Sequence, residues 1–291
     1  MPELPEVEVT RRRIEPLLVG RRIAKVGTTK PSYFFLTPPK RLARELRGAV
    51  VRSLERRGKY LLAHLAGGRQ LLLHLGMTGQ LFAAGATSVR LFSAERRASL
   101  RPEDQPGFVP DRHTHLRLEF DDGGPAIFFR DVRKFGKVRL LEPGQSDPRL
   151  DLLGVDALEV TGAQLFAATR GRKVAVKSVL LAQDVVAGVG NIYADEALFL
   201  AHVRPTRSAG KLTRAEAEAL AKALHQVLLR SIETGGSSIS DYVAPDGSDG
   251  AYQDERRVYA RAGEPCSVCG TKLRRTVIGA RSTVFCPSCQ R

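Results

Sequence analysis

Four cysteines constrain this chain more than any other residues do. Cys266-x2-Cys269 and Cys286-x2-Cys289, with 16 residues between the pairs, lie in the last 26 of 291 residues. Two such pairs predict a closed tetrahedral site of four thiolates, with zinc the expected ion and an iron–sulfur centre the alternative. Four protein ligands leave no open coordination position, so the ion is expected to be structural. No cysteine is left over for a disulfide framework elsewhere. The site would hold a short hairpin over 272–284, whose tip Gly279-Ala280-Arg281-Ser282-Thr283 offers a contact for phosphate. The spacing alone leaves DNA, RNA and protein open as partners.

Upstream, the hydrophobic period changes once. Residues 21–28, 49–57, 59–65, 70–75, 115–120, 126–130 and 137–141 alternate like strands. They are separated by turn signals such as Ala66-Gly67-Gly68 and Asp121-Asp122-Gly123-Gly124. Pro39–Leu46 reads as a short helix, and 83–112 as a long basic loop. So many short strands predict an antiparallel sandwich. From about residue 151 the spacing is helical, over 163–169, 174–183, 191–200 and 213–233. Thr213 and Glu216 form a capping box at the last of these. Residues 237–255 are rich in Gly, Ser and Asp and read as flexible. The expected class is α+β and multidomain: a sandwich with flanking helices over 1–150, a helical domain over 151–240, and a flexible loop with the cysteine segment over 241–291.

Charge narrows the partner. Lys and Arg number 46 against 31 Asp and Glu, a net charge of +15 at pH 7. Such an excess points first to nucleic acid and second to an anionic membrane surface. No apolar run approaches the roughly 20 residues that span a bilayer, and the first helix is broken by Arg11, Arg12 and Arg13. A cytoplasmic protein without a membrane partner is expected.

The chain opens Met1-Pro2-Glu3-Leu4-Pro5-Glu6-Val7-Glu8. Removal of Met1 would leave Pro2 as a free secondary amine, and α-amino groups titrate near pH ~7.7–8.0. Pro5 favours a helix start, and Gly20 stops a helix carrying Val7, Ile14, Leu17 and Leu18. The positive end of that helix would disfavour the ammonium form. An amine with carboxylates at Glu3 and Glu6 suits Schiff-base chemistry at a sugar carbon; it equally fits a plain capped helix. Gly188-Val189-Gly190-Asn191 can receive an anion at a helix N-terminus, or can be an ordinary connection. Met77, between Gly76 and Gly79, and Phe135, in Asp131-Val132-Arg133-Lys134-Phe135-Gly136, are apolar tips of the kind that wedge between bases. Each also fits a buried turn.

Taken in order, these motifs resemble the bacterial formamidopyrimidine-DNA glycosylases, the 8-oxoguanine glycosylase/abasic-site lyases of base-excision repair. The motifs are the opening octapeptide, Gly58-Lys59-Tyr60-Leu61-Leu62, His74-Leu75-Gly76-Met77-Thr78-Gly79, Asp131-x-Arg133-x-Phe135-Gly136, residues 188–196 and the cysteine finger. Leu4 favours this branch over endonuclease VIII, where Gly is typical. The resemblance implies a β-sandwich, a helix–two-turns–helix domain and a zinc finger, acting as a monomer at the nucleoid on double-stranded DNA with oxidised bases or abasic sites. It implies that Pro2 attacks C1′ of the damaged nucleotide, Glu3 moves protons at the sugar and Glu6 supports the site. Lys59 serves β-elimination at the lesion phosphates, and Arg281 serves phosphate binding and δ-elimination. Met77, Arg133 and Phe135 fill the gap left by the flipped nucleotide, Arg133 bonding the orphaned base. Asn191, His113 and Arg172 touch DNA.

Three departures stand out. The 83–112 segment is longer than usual. Ala182 replaces an acidic residue of many members. Arg256 and Ala260 replace an apolar residue and a glycine beside the stretch that closes over the flipped base, which bears on the preferred lesion. A non-enzymatic damaged-DNA binder of the same fold, an endonuclease VIII-like glycosylase for oxidised pyrimidines and an RNA-binding zinc-ribbon protein remain as alternatives.

Overall fold

The structure, a computed structural model, describes residues 2–87, 107–239 and 242–291. The chain divides into two compact units. One comprises the chain up to Asp147 together with Thr234–Ala251; the other comprises Pro148–Glu233 with Tyr252–Arg291.

The first unit is a sandwich of two four-stranded antiparallel sheets. One has the order β1 (Ile23–Thr28), β6 (Thr114–Phe120), β7 (Ile127–Asp131), β5 (Gly79–Ala83). The other has the order β2 (Val51–Arg57), β3 (Tyr60–Leu65), β4 (Gln70–His74), β8 (Lys137–Leu141). Side chains at alternate strand positions, such as Val138 and Leu140 of β8, join Leu61, Leu73, Leu116 and Phe129 in one core. Helix α1 (Leu4–Leu18) adds Val7, Ile14 and Leu18, and α2 (Pro39–Leu46) adds Leu42 and Leu46. Each such fully buried side chain is worth about 1.5–3 kcal/mol.

Strand β5 has no counterpart in the sequence reading, and the reason is physical. All five of its residues are buried. Leu81 points into the sandwich core, while Phe82 joins Ala86, Phe108, Phe128 and Val243 in a second cluster. A strand covered on both faces loses the alternation that announces strands. The same cluster shows that the ends of the expected 83–112 loop are packed: the Phe108 ring meets that of Phe82 at 4.4 Å. Its central residues 88–106 lie outside the described residues.

The second unit is helical. It contains α3 (Pro148–Asp151), α4 (Gly162–Thr169), α5 (Val176–Leu181), α6 (Asn191–Leu200) and α7 (Arg214–Glu233). A parallel pair of two-residue strands, β9 (Val155–Asp156) and β10 (Val186–Ala187), ties its start together. The α7 capping box forms as its sequence predicts, with the Glu216 N–H donating to Thr213 Oγ1 at 3.2 Å and the Thr213 N–H to Glu216 Oε2 at 2.9 Å. Helix α6 is buried all round from Ile192 to Phe199. The cysteine segment ends the unit with an antiparallel hairpin of β11 (Arg274–Ile278) and β12 (Arg281–Phe285).

One ionic cluster locks α1 to the first sheet pair. The Glu8 carboxylate receives Arg11 Nη2 at 2.9 Å, Arg12 Nε at 2.8 Å and Arg56 Nε of β2 at 3.0 Å. Burial pushes the Glu8 carboxyl up, yet hydrogen bonds from Arg11 and Arg12 and the charges of Arg11 and Arg56 outweigh it and bring it down to about 2. A folded pKa below the unfolded value means stability that is present above about pH 4.5 and is lost as pH falls toward 2. We expect Glu8→Gln to cost on the order of 2–3 kcal/mol at pH 7 and to flatten the wild-type loss of stability between pH 4.5 and 2, as read by denaturant melts across that range.

Candidate active site

The N-terminus is held by a carboxylate. Pro2 is buried and leads into Glu3, the N-cap of α1. One oxygen of Glu6, itself 1% exposed, accepts the Glu3 N–H at 2.8 Å; the other accepts the Ser237 N–H at 2.9 Å. Gly236 lies against the same side chain at φ +88°, and a Cβ there would come within 3.2 Å of Glu6 Cγ and Oε1. Tyr242 closes over this contact, its hydroxyl pushed up by burial and by the charge of Glu6. The Gly, Ser and Asp content of 237–255 reads as flexible. The structure instead buries Ser237, Ser238, Tyr242, Val243 and Ala244, because Glu6 and the Phe82 cluster supply a polar and an apolar seat for them. Residues 240 and 241 lie outside the described residues.

Lys59 is buried at the β2–β3 turn, after Gly58 at φ +55°. Arg56, gripped by Glu8, donates from Nη1 to the Gly58 carbonyl at 3.0 Å. The ionic cluster of α1 thus also supports the turn that carries Lys59.

The three apolar and basic tips meet. Met77 caps the β4–β5 turn, and Arg133 and Phe135 stand on the β7–β8 loop, all exposed. Arg133 Nη2 lies 3.6 Å from Met77 Sδ, and its guanidinium carbon sits 4.6 Å from the Phe135 ring centre. Glycines make the approach possible: a Cβ on Gly76 would come within 2.5 Å of the Gly136 nitrogen. The residue that joins the two loops is Asp131, which the sequence presents only as the first letter of a motif. Its buried carboxylate accepts the Thr78 hydroxyl at 2.5 Å, the Arg133 N–H at 3.2 Å and the Gly136 N–H at 2.7 Å. His113 lies half-buried just before β6, its N–H on Asp111 Oδ1 at 2.9 Å. Its imidazole pKa is lowered by burial and by Arg130, against the pull of Asp111.

In the second unit, Asn191 opens α6 and its Nδ2 donates to the Ser282 carbonyl at 2.9 Å. Arg281 is exposed beside it as the first residue of β12. The turn before Arg281 has Gly279 and Ala280 both left-handed, as a two-residue hairpin with the twist of its strands requires. Two neighbouring acids of α6 bolt the cysteine segment down. Asp195 holds Lys177 Nζ at 2.6 Å and the Val284 N–H at 3.0 Å, while Lys177 also reaches Thr283 Oγ1 at 2.8 Å. Glu196 accepts three successive N–H groups, from Arg257, Val258 and Tyr259, at 2.9, 2.9 and 2.8 Å. The backbone N–H groups that these two acids accept come from 61 to 89 residues further along the chain, a pairing that no local pattern announces. Arg172 is exposed on the α4–α5 loop, where its carbonyl accepts the Gly210 N–H at 2.8 Å.

The four cysteine sulfurs lie within 4.8 Å of one another, with pairs at 3.4, 3.5 and 3.9 Å. Tetrahedral thiolates on Zn–S bonds of about 2.3 Å have edges close to this. The Val268 N–H approaches Cys266 Sγ at 3.5 Å, and the Cys289 N–H approaches Cys286 Sγ at 3.4 Å, a donor set that suits thiolate charge. The site fits one structural zinc.

Fold and thiolate site together define a zinc-finger protein built from a β-sandwich and a helical unit. The sequence matches three family descriptions: "Formamidopyrimidine-DNA glycosylase N-terminal domain" over residues 1–138, "Formamidopyrimidine-DNA glycosylase H2TH domain" over 153–243 and "Zinc finger found in FPG and IleRS" over 263–291. The formamidopyrimidine-DNA glycosylase of Burkholderia pseudomallei (strain K96243) is 44% identical over 297 residues, covering 100% of both chains. That of Cereibacter sphaeroides is 43% identical over 297 residues, with 100% of both chains covered. Among solved structures, a Lactococcus lactis FPG mutant in complex with a Fapy-dG containing DNA aligns at TM-score 0.85 and 32% identity, covering 100% of each chain. The Thermus thermophilus MutM (FPG) protein aligns at TM-score 0.81 and 37% identity, covering 99% of this chain and 98% of that one. The chain belongs to the formamidopyrimidine-DNA glycosylase family.

Two outcomes follow from the geometry. Purified protein should carry one zinc per chain, and Cys286→Ser should release it and lower the melting temperature, read by metal analysis and calorimetry. Asp131→Asn should cost roughly 1–3 kcal/mol, because three donors lose a charged acceptor; chemical denaturation measures it.

Proposed function

We propose that the protein is a bifunctional DNA glycosylase and abasic-site lyase that removes oxidised purines, 8-oxoguanine and formamidopyrimidines, from double-stranded DNA. The observation that carries this reading is the pinned N-terminus. Glu6 holds the Glu3 N–H and is itself held by the Ser237 N–H, so the neighbouring Pro2 nitrogen has a set position at the positive end of α1. Once Met1 is removed, that nitrogen is a secondary amine able to attack C1′. The C1′–N bond to the base breaks, the base leaves, and the sugar ring opens to an iminium on Pro2. Glu3 carries the protons at the sugar. Loss of a C2′ proton then expels the 3′ phosphate, and a second elimination expels the 5′ phosphate. Lys59 serves the first elimination and Arg281 the second.

A stacked nucleotide must leave the helix for this chemistry, at a cost of a few kcal/mol. Met77, Arg133 and Phe135 fill the space it leaves, with Arg133 on the orphaned base. Asn191, His113 and Arg172 contact the DNA. Residues 1–150 carry the catalytic amine, 151–240 the helical DNA-binding part, and 241–291 the lesion loop and the finger. With a net charge of +15, binding draws mainly on phosphate neutralisation and weakens steeply with salt. No described helix is long and apolar enough to cross a membrane, and the enzyme acts on cytoplasmic, nucleoid DNA as a monomer.

Borohydride trapping on a duplex with one 8-oxoguanine opposite cytosine tests the reading. A covalent adduct and strand scission are expected from wild-type protein; neither is expected from Pro2→Gly or from the fraction retaining Met1, identified by intact mass. Tight lesion binding with no adduct and no scission in the processed wild type would establish a non-enzymatic damage binder instead.

A further inference from the structure

We propose that Tyr33 is a positioning residue for reading the base opposite the lesion, acting through its hydroxyl on the peptide that follows Arg133. This rests on the assignment of Arg133 to the orphaned base. Tyr33 lies on the chain between β1 and α2 and is 60% exposed, the most open aromatic ring among the described residues. An exposed tyrosine normally leaves its hydroxyl to water. This one donates to the Arg133 carbonyl at 2.7 Å.

The carbonyl it holds has an unusual place in the loop. It belongs to the peptide joining Arg133 to Lys134, and Lys134 is left-handed at φ +58°. A residue with a Cβ resists that conformation by roughly 1–2 kcal/mol, so the peptide tends to rotate out of it. Tyr33 opposes the rotation from outside. From the inside, the Arg133 N–H is shared between Thr78 Oγ1 and Asp131 Oδ1, both at 3.2 Å. Arg133 is therefore clamped at its N–H by the buried carboxylate and at its C=O by the exposed hydroxyl. Lys137 completes the brace. Its ammonium donates to the Phe135 and Gly136 carbonyls at 3.3 and 3.1 Å and lies 5.1 Å from the centre of the Tyr33 ring.

The guanidinium sits at the end of a long side chain, and hydrogen bonding to one base rather than another depends on small displacements of its root. A backbone clamp limits them. Among the described residues the Tyr33 hydroxyl bonds the Arg133 carbonyl and its ring meets the Lys137 ammonium, groups separate from those assigned to the amine chemistry at Pro2. Being exposed, Tyr33 can be changed without opening the core.

The test is single-turnover excision of 8-oxoguanine opposite cytosine and opposite adenine by full-length protein. Wild type, Tyr33→Phe, Tyr33→Ala and Arg133→Ala are compared by the ratio of the two rates. Tyr33→Phe removes only the hydroxyl and should reduce the ratio by roughly fivefold, the weight of one hydrogen bond. Tyr33→Ala should reduce it at least as far. If Tyr33→Phe lowers both rates by one factor and leaves the ratio intact, Tyr33 serves only the fold of the loop and the proposal is overturned. It is equally overturned if Arg133→Ala loses the ratio and Tyr33→Phe keeps it. If Arg133→Ala itself keeps the ratio, the assignment of Arg133 falls and this proposal falls with it.

Discussion

The contact on which the rest depends is the buried Glu6 carboxylate, shared between the Glu3 N–H and the Ser237 N–H. A helix start leaves unpaired N–H groups, and a chain terminus is ordinarily the loosest part of a domain. Here one carboxylate satisfies both the first peptide of the helix and a segment more than two hundred residues away. Buried charge is costly unless it is fully hydrogen-bonded, and the charge-assisted bonds it then makes are strong. That converts a terminus into a fixed point, a requirement for any mechanism that uses the terminal nitrogen as nucleophile.

The same device recurs. Asp131 joins the Met77 turn to the Arg133–Phe135 loop, Asp195 joins α6 to β12, and Glu196 gathers three peptides before the first cysteine pair. Each is an acid with almost no exposure that accepts a hydrogen bond from another part of the chain, from the Thr78 hydroxyl for Asp131 and from backbone N–H groups for Asp195 and Glu196. In a protein with 31 acidic residues against 46 basic ones, several of the acids are thus committed to internal geometry. The basic excess is correspondingly free to face a polyanion.

Much of this was legible in the sequence, and the reasons for the remainder are specific. The strand-to-helix change of period, the Thr213–Glu216 cap and the hairpin between the cysteine pairs are local patterns, and each formed where expected. Strand β5 was hidden because both of its faces are covered. The tips at Met77, Arg133 and Phe135 could be named as oddities of composition, but their meeting depends on Asp131 and on backbone contact at Gly76 and Gly136. Lys177 and Asp195 read as ordinary polar positions on helices; only the fold, which brings Thr283 and Val284 beside them, gives them partners. Asn191, for which the sequence offers an anion contact or an ordinary connection, grips the Ser282 carbonyl next to Arg281, a partner 91 residues away.

The segment rooted at Gly236 has an evolutionary consequence. The Ala251 N–H donates to the Thr234 carbonyl at 2.9 Å, and Gly236 and Gly250 meet backbone to backbone, a Cβ on Gly250 coming within 2.2 Å of the Gly236 oxygen. The Gly250 N–H closes the ring on Ser238 Oγ at 2.9 Å. The excursion between these residues therefore has a sealed neck, and the neck bears on Glu6. Tyr242 and Val243 tie part of this excursion back to the Gly236–Glu6 contact and to the Phe82 cluster, so changes that keep those two seats and the neck leave the peptide that presents Pro2 undisturbed. Natural selection can therefore vary the remaining residues of such an excursion while the start of α1 stays held, so closely related chains can differ here and keep the same fixed terminus.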